Sequence, residues 1–278
     1  HPDILFIAEV YNPAQYRDYV HRGGFDYLYD KVGLYDALRA VTRHEASAQC
    51  LTRCWQQVDD IRTHMLHFLE NHDEQRLASD FFAGDARRGR APLLVSALMD
   101  YCPMMIYFGQ ELGERGMDAE GYSGRDGRTT IYDYWTVDTV SRWRNGGKFN
   151  DKKLTGDEKR LREFYARVLA LRESMPVLRS GHFYDLMYVN RHLHRQYVFV
   201  RQLEKQVLLV IANFDDQEAN LSIHLPEEFF RFIGQKGQTE VRALDLLSEE
   251  ETQVDFTPDR PLCAKVLPWN GLVLSIDL

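Results

Sequence analysis

Along the first two thirds of the chain, apolar residues switch between unbroken runs and helical spacing. Residues 4–8 (ILFIA) are continuously apolar between Pro2 and Asn12-Pro13, which predicts a strand buried on both faces, as in a parallel sheet. The run ends at Glu9. Pro13 suits a helix start, and residues 14–21 predict a short helix closed by Gly23-Gly24. Residues 25–29 (FDYLY) predict a second strand, followed by helical spacing over 32–41 and 46–65. A third strand around 67–69 leads into Glu70-Asn71-His72-Asp73, a helix over 91–101 is stopped by Pro103, and a fourth strand over 104–108 leads into Gly109-Gln110-Glu111. Strands alternating with helices at this spacing predict βα units on a parallel sheet.

Residues 109–150 are rich in Gly, Asp and Arg with weak periodicity, and a loop of that length inside a domain points to function. Thr155-Gly156-Asp157-Glu158 then opens an amphipathic helix with Leu161, Phe164, Tyr165, Val168, Leu169 and Leu171 on one side, ending before Pro176. From residue 183 the pattern changes to short strands (FYDLMYV, QYVFVRQ, QVLLVIANF, ANLSIHL, VRALDLL, TQVDFT, CAKVLPWNGLVLSIDL), with turn signals at 213–216 and 269–271. That predicts an all-β module large enough for a two-sheet sandwich.

No GxGxxG follows the first strand, which favours a barrel over a dinucleotide-binding sheet. A complete eight-unit barrel takes about 250 residues. Only four strand units precede the β module, so the expected fold is α/β: half of a (β/α)8 TIM barrel over residues 1–178, then a β-sandwich domain over 179–278. Half a barrel has open sheet edges and an uncovered apolar face, and is expected to need its other half as a partner. The chain starts at His1 with an apolar strand three residues later, so sequence is expected upstream. Any signal peptide would lie there, which leaves a cytoplasmic or a periplasmic location open.

Composition narrows the function classes. A net charge of -8 without a Lys/Arg-rich face argues against nucleic acid as a partner. No apolar run reaches the roughly 18 residues of a membrane span, so no membrane is expected. Cys50, Cys54, Cys102 and Cys263 match neither a disulfide framework nor a zinc motif and are expected to be buried or half-buried thiols.

Reacting groups of such barrels stand at the C-terminal ends of strands. Three of the expected ends carry a carboxylate: Glu9, Asp73 and Glu111. Cleavage of a glycosidic bond needs one carboxyl group kept protonated and another ionised. Glu9, leaving an apolar strand between Ala8 and Val10, suits the acid, because desolvation and neighbouring carboxylates would raise its pKa. His72 and Asp73 can donate to and accept from sugar hydroxyls. Taken singly, each is also compatible with a cap or a salt bridge.

The wording of the motifs adds to this. FIAEVY (6–11), FLENHDEQR (68–76) and MIYFGQELGE (105–114), in this order and spacing, resemble the α-amylase family, family 13 of the glycoside hydrolases. The resemblance spans the chain and implies strands 5 to 8 of that family's barrel plus its C-terminal sandwich. It makes Glu9 the general acid and base, Asp73 the carboxylate that stabilises the transition state, and His72 a sugar ligand. Tyr11 and Glu111 join His72 as candidate substrate-binding residues. GRTTIYDYW (127–135) is similar to a loop of oligosaccharide-acting members, and Tyr122, Tyr132, Tyr134 and Trp135 are candidate sugar-stacking aromatics.

The departures are equally specific. The family's nucleophilic Asp and its Arg lie in a GFRxD-like segment, and a further Asp and His in a DxVxNH-like segment, neither of which occurs here. The implied activity is a retaining α-glycoside hydrolase acting on α-glucans or maltooligosaccharides, carried here without its nucleophile and so inactive by itself. A transglycosylase and a non-catalytic carbohydrate-binding relative are the rival readings. No metal ligand set or cofactor is expected in these residues, and a calcium ion would belong to the missing half.

Overall fold

The computed structural model describes residues 1, 3–118, 124–132 and 136–277. Four short parallel strands, β1 (Ile7–Ala8), β2 (Tyr27–Tyr29), β3 (Met65–Phe68) and β4 (Met104–Met105), lie side by side in chain order. Their register pairs Ala8 with Leu28, Leu28 with Met65 and His67 with Met104. Parallel neighbours need crossover connections. These are supplied by α1 (Tyr16–His21), by α2 (Asp36–Thr42) with α3 (Leu51–Gln57), and by α4 (Arg90–Leu98). Consecutive order with helical crossovers is a barrel wall, open along β1 and β4.

The expected strand over 4–8 is shorter and less covered than its composition predicts. Only Ile7 and Ala8 are ladder residues, and Ile4, Leu5, Phe6 and Ile7 are 49–63% exposed. The cause is topological: β1 pairs on one side alone, so no second strand and no packed layer cover these side chains. The fourth strand likewise covers two residues, with Phe108 exposed. Residues 46–65 form three helical pieces rather than one, with α3 flanked by 3-10 turns over Ala48–Cys50 and Asp59–His64. Within 109–150 the chain forms α5 (Asp138–Arg144).

The helix expected after Thr155 is α6 (Gly156–Ser174), opened by a capping box in which Thr155 and Glu158 exchange hydrogen bonds, and followed by α7 (Pro176–Ser180). A six-stranded antiparallel sheet follows, built from β5 (His182–Asp185), β6 (Gln196–Leu203), β7 (Gln206–Asn213), β9 (Gln238–Asp245), β10 (Glu251–Phe256) and β12 (Gly271–Asp277) in the order β10-β9-β12-β7-β6-β5. A two-stranded ladder of β8 (Ala219–Ile223) and β11 (Leu262–Val266) shares its apolar core. One helix interrupts the expected all-β pattern: α8 (Glu227–Ile233). Its Phe229, Phe230 and Ile233 sit at helical spacing and are buried, and Gly234 stops it at φ 66°. Of FYDLMYV only the first half is strand; Asp185 turns the chain by accepting the Met187 amide at 2.6 Å.

One apolar cluster runs from Leu34, Leu38 and Phe68 through Leu94 and Val168 to Val198 and Val210, so the barrel wall and the β module share a core. Two buried charged groups lock the junction. Asp185 accepts from Thr52 and Trp55 of α3 and from Tyr197, all at 2.8–2.9 Å. Arg201 donates to the carbonyls of Met99, Leu178 and Gly181, which end helices or turns. Burial lowers its guanidinium pKa to about 10. All four cysteines are free, but Cys263 is exposed rather than covered as expected, because its position on β11 faces away from the core; no helix among the described residues is long and apolar enough to cross a membrane.

Candidate active site

Parallel strands put all their C-terminal ends on one rim. Glu9 follows β1 there directly, while β3 continues through Leu69 and Glu70 into the turn that carries His72 and Asp73. Adjacent strands are about 4.8 Å apart, so β1 and β3, with β2 between them, start two such steps apart. The side chains close that gap: one polar atom each of Glu9, His72 and Asp73 lie within 4.8 Å of one another. His72 Nε2 is 3.5 Å from Asp73 Oδ2.

The turn is held from within. The Oδ1 of Asn71, itself buried, accepts the amides of Asp73 at 2.9 Å and Glu74 at 2.7 Å. Behind it Glu70 and Arg76 form a fully buried ion pair. His72 is partly covered, whereas Glu9 and Asp73 are exposed. The desolvation expected for Glu9 is therefore not supplied by the described residues, for the same reason that Ile4 to Ile7 are bare: one side of β1 is open.

The rim contains groups that strand-end carboxylates did not flag. Tyr29 is the last residue of β2, and its hydroxyl lies 3.8 Å from Met105 Sδ; burial, then the charges of Glu9 and Asp73, raise its phenol pKa. Tyr11 is raised by burial and by Glu9, Glu74 and Asp73, with Lys31 opposing. Lys31 bridges Asp36 at 2.7 Å and Glu74 at 3.3 Å, and Tyr35 donates to Glu74 at 3.2 Å. Tyr29 was legible only as a strand-end aromatic. Asp30 does stand at a strand end, but it is turned inward, where it caps the helical turn Lys31–Tyr35 through the Leu34 amide and faces His67 at 3.8 Å.

Glu111 is not part of the Glu9, His72 and Asp73 cluster. It sits in the turn Gln110–Leu112, between Gly109 and Gly113 at φ 80° and 75°, and its charge adds to burial and Glu70 in raising the phenol of Tyr165 on α6. Tyr132, within the long connection, is exposed; Tyr122, Tyr134 and Trp135 lie outside the described residues. Glu9, His72 and Asp73 are also close enough to share a cation, and theirs is the one such group among the described residues. Chemically, the rim offers a carboxyl group facing an imidazole-carboxylate pair across a gap open to one side.

No protein-family model and no curated sequence matches the chain. Solved structures do. The chain superposes over 99% of its length on 55% of a maltogenic α-amylase, AmyB, from Thermotoga neapolitana, at TM-score 0.68 and 16% identity. It superposes over its whole length on 54% of the α-amylase from Geobacillus thermoleovorans solved with acarbose, at TM-score 0.69 and 16% identity. The fold is that of part of an α-amylase. A cyclomaltodextrinase is matched over 100% of this chain and 41% of its own, at TM-score 0.67 and 19% identity. The chain thus spans about half the length of the structures it matches, as a half barrel followed by a β-sandwich domain.

Proposed function

We propose that this chain is part of a retaining α-glycoside hydrolase of the α-amylase family, acting on α-glucans or maltooligosaccharides. Residues 1–178 form the barrel half and 179–278 the β domain on this reading. The observation that carries it is the meeting of Glu9, from one strand, with His72 and Asp73, from another, within 4.8 Å. The α-amylase-like fold supports it, as does the presence of acarbose and maltose in two of the matched structures.

Glu9 protonates the leaving glycosidic oxygen as the C–O bond breaks, and in the second half-reaction takes a proton from the attacking water. Asp73 and His72 hold hydroxyls of the same sugar, contacts that tighten as the ring gains oxocarbenium character. On this reading Tyr29 and Tyr11 line that subsite. The nucleophile that forms the covalent glycosyl intermediate comes from upstream residues, which also pack on β1 and bury Glu9.

The test is Glu9→Gln in the full-length protein. It is expected to lower maltooligosaccharide cleavage by about 10²- to 10⁴-fold, the range typical of a lost general acid, with the fold retained by circular dichroism. Unchanged turnover would overturn the assignment, and products longer than the substrate would convert hydrolase into transglycosylase.

A further inference from the structure

A cavity of about 260 Å³ lies between the end of α5 and the first turns of α6, and none of its residues belongs to the rim cluster. Trp143 and Phe149 form its aromatic walls, their rings 5.4 Å apart at 65°. Arg162 lies over the Trp143 ring at 5.7 Å.

The segment that presents Phe149 is unusual. After α5 the backbone is left-handed at Asn145, Gly146 and Gly147, and again at Phe149, with φ 48°. Asn145 and Gly tolerate that conformation; a bulky aromatic residue does so rarely. Phe149 is also 59% exposed, so packing does not compensate for the strain. The segment is nevertheless tied down, by the Phe149 amide on the Arg144 carbonyl at 3.1 Å and by Asn145 Nδ2 on Asn150 Oδ1 at 2.9 Å. A strained, fixed, exposed aromatic ring is a feature that stability does not account for.

The remaining lining identifies the occupant. Asp151 and Glu163 balance Lys159 and Arg162, so the cavity has no net charge to attract a phosphate or an ammonium group. It offers charged donors and acceptors at its edge and, beside the partly covered Trp143 that it meets edge to face, the exposed ring of Phe149. That is complementary to a pyranose ring, which has an apolar C–H face and a perimeter of hydroxyls. The volume lies just under the roughly 300 Å³ at which drug-sized pockets begin, so it suits one ring rather than a longer segment. We infer that the Trp143–Phe149 cavity is a second, non-catalytic binding site for a single neutral pyranose unit of an oligosaccharide. It stands apart from the reading of the rim, since no residue is shared.

The test is a titration of the chain with maltose and with methyl α-glucoside, followed by tryptophan fluorescence and by amide shifts. Saturable binding is expected, with shifts at residues 143–163, weakened at least tenfold in Trp143→Ala and retained in Glu9→Gln. Phe149→Gly, which relieves the positive φ, is expected to lose binding equally while its melting temperature is unchanged or raised. Failure of sugar to bind, binding unaffected by Trp143→Ala and Phe149→Gly, or a preference for inorganic phosphate would each overturn the inference. Loss of binding only in Glu9→Gln and His72→Asn would assign the sugar to the rim and also reject it.

Discussion

The carboxylate of Glu70 accepts Arg76 Nη1 at 2.8 Å through one oxygen and the Leu77 amide at 2.8 Å through the other, closing the turn that carries His72 and Asp73 at its base. Both side chains are essentially inaccessible, 1% and 0% exposed. Arg76 also donates to the Phe108 carbonyl and to Thr129, and lies over the Tyr107 and Phe108 rings, so it joins the ends of β3 and β4 to the long connection. Burial raises the Glu70 pKa while Arg76 opposes it.

Removing one member leaves the other charged and unpaired in the core. Arg76→Met is therefore expected to destabilise the chain by about 3–5 kcal/mol, whereas Glu70→Leu combined with Arg76→Met is expected to recover much of that loss. Urea midpoints of the two single variants and the double variant check this; additive losses would show that the two side chains act independently.

The pair of Asp30 and His67 makes stability depend on pH. Both are buried, 3.8 Å apart, and His67 Nδ1 is 2.8 Å from the Ser96 carbonyl. Burial alone would lower the His67 pKa, but Cys102, Asp30 and Asp100 outweigh it and hold the imidazole at about 10; burial raises Asp30 despite His67. A folded pKa above the unfolded value near 6.5 means that this stabilisation is fully present below about pH 6.5 and is lost as pH climbs through about 10. The unfolding free energy is expected to fall by up to about 1.4 kcal/mol per pH unit across that window. His67→Gln is expected to flatten the slope, and an identical slope in wild type and variant would exclude His67 as its source.

The bare edge of β1 makes a third prediction. Leu5 is 63% exposed. Leu5→Lys is expected to change the stability of this chain by no more than about 0.5 kcal/mol, the usual size of a surface effect. The same substitution is expected to reduce binding of an apolar dye, because it interrupts the run of exposed Ile4, Leu5, Phe6 and Ile7. A large loss of stability would mean that Leu5 is covered in solution.

Much of the architecture was legible because it is local. The order of strands and helices follows from periodicity, the start of α6 from Thr155 and Glu158, and the turn before β12 from Trp269-Asn270-Gly271. Helix α8 is equally local, since Phe229, Phe230 and Ile233 have helical spacing, but it is short and sits among strands. Glu9, His72 and Asp73 stood out because each follows a strand whose end a parallel sheet brings to one rim.

What the residues alone determined was therefore the repeating βα order, the change to an antiparallel module, and which acids lie at strand ends. The tertiary structure decided which of those acids meet. Glu9 reaches His72 and Asp73 across β2, Asp30 turns inward to a cap, and Glu111 stays outside the cluster in the turn Gln110–Leu112. It also decided that the most apolar run in the first strand is bare. Periodicity reports the geometry of neighbouring residues, whereas burial, charge pairing and strain at Phe149 depend on groups brought from far along the chain, which a local pattern does not encode.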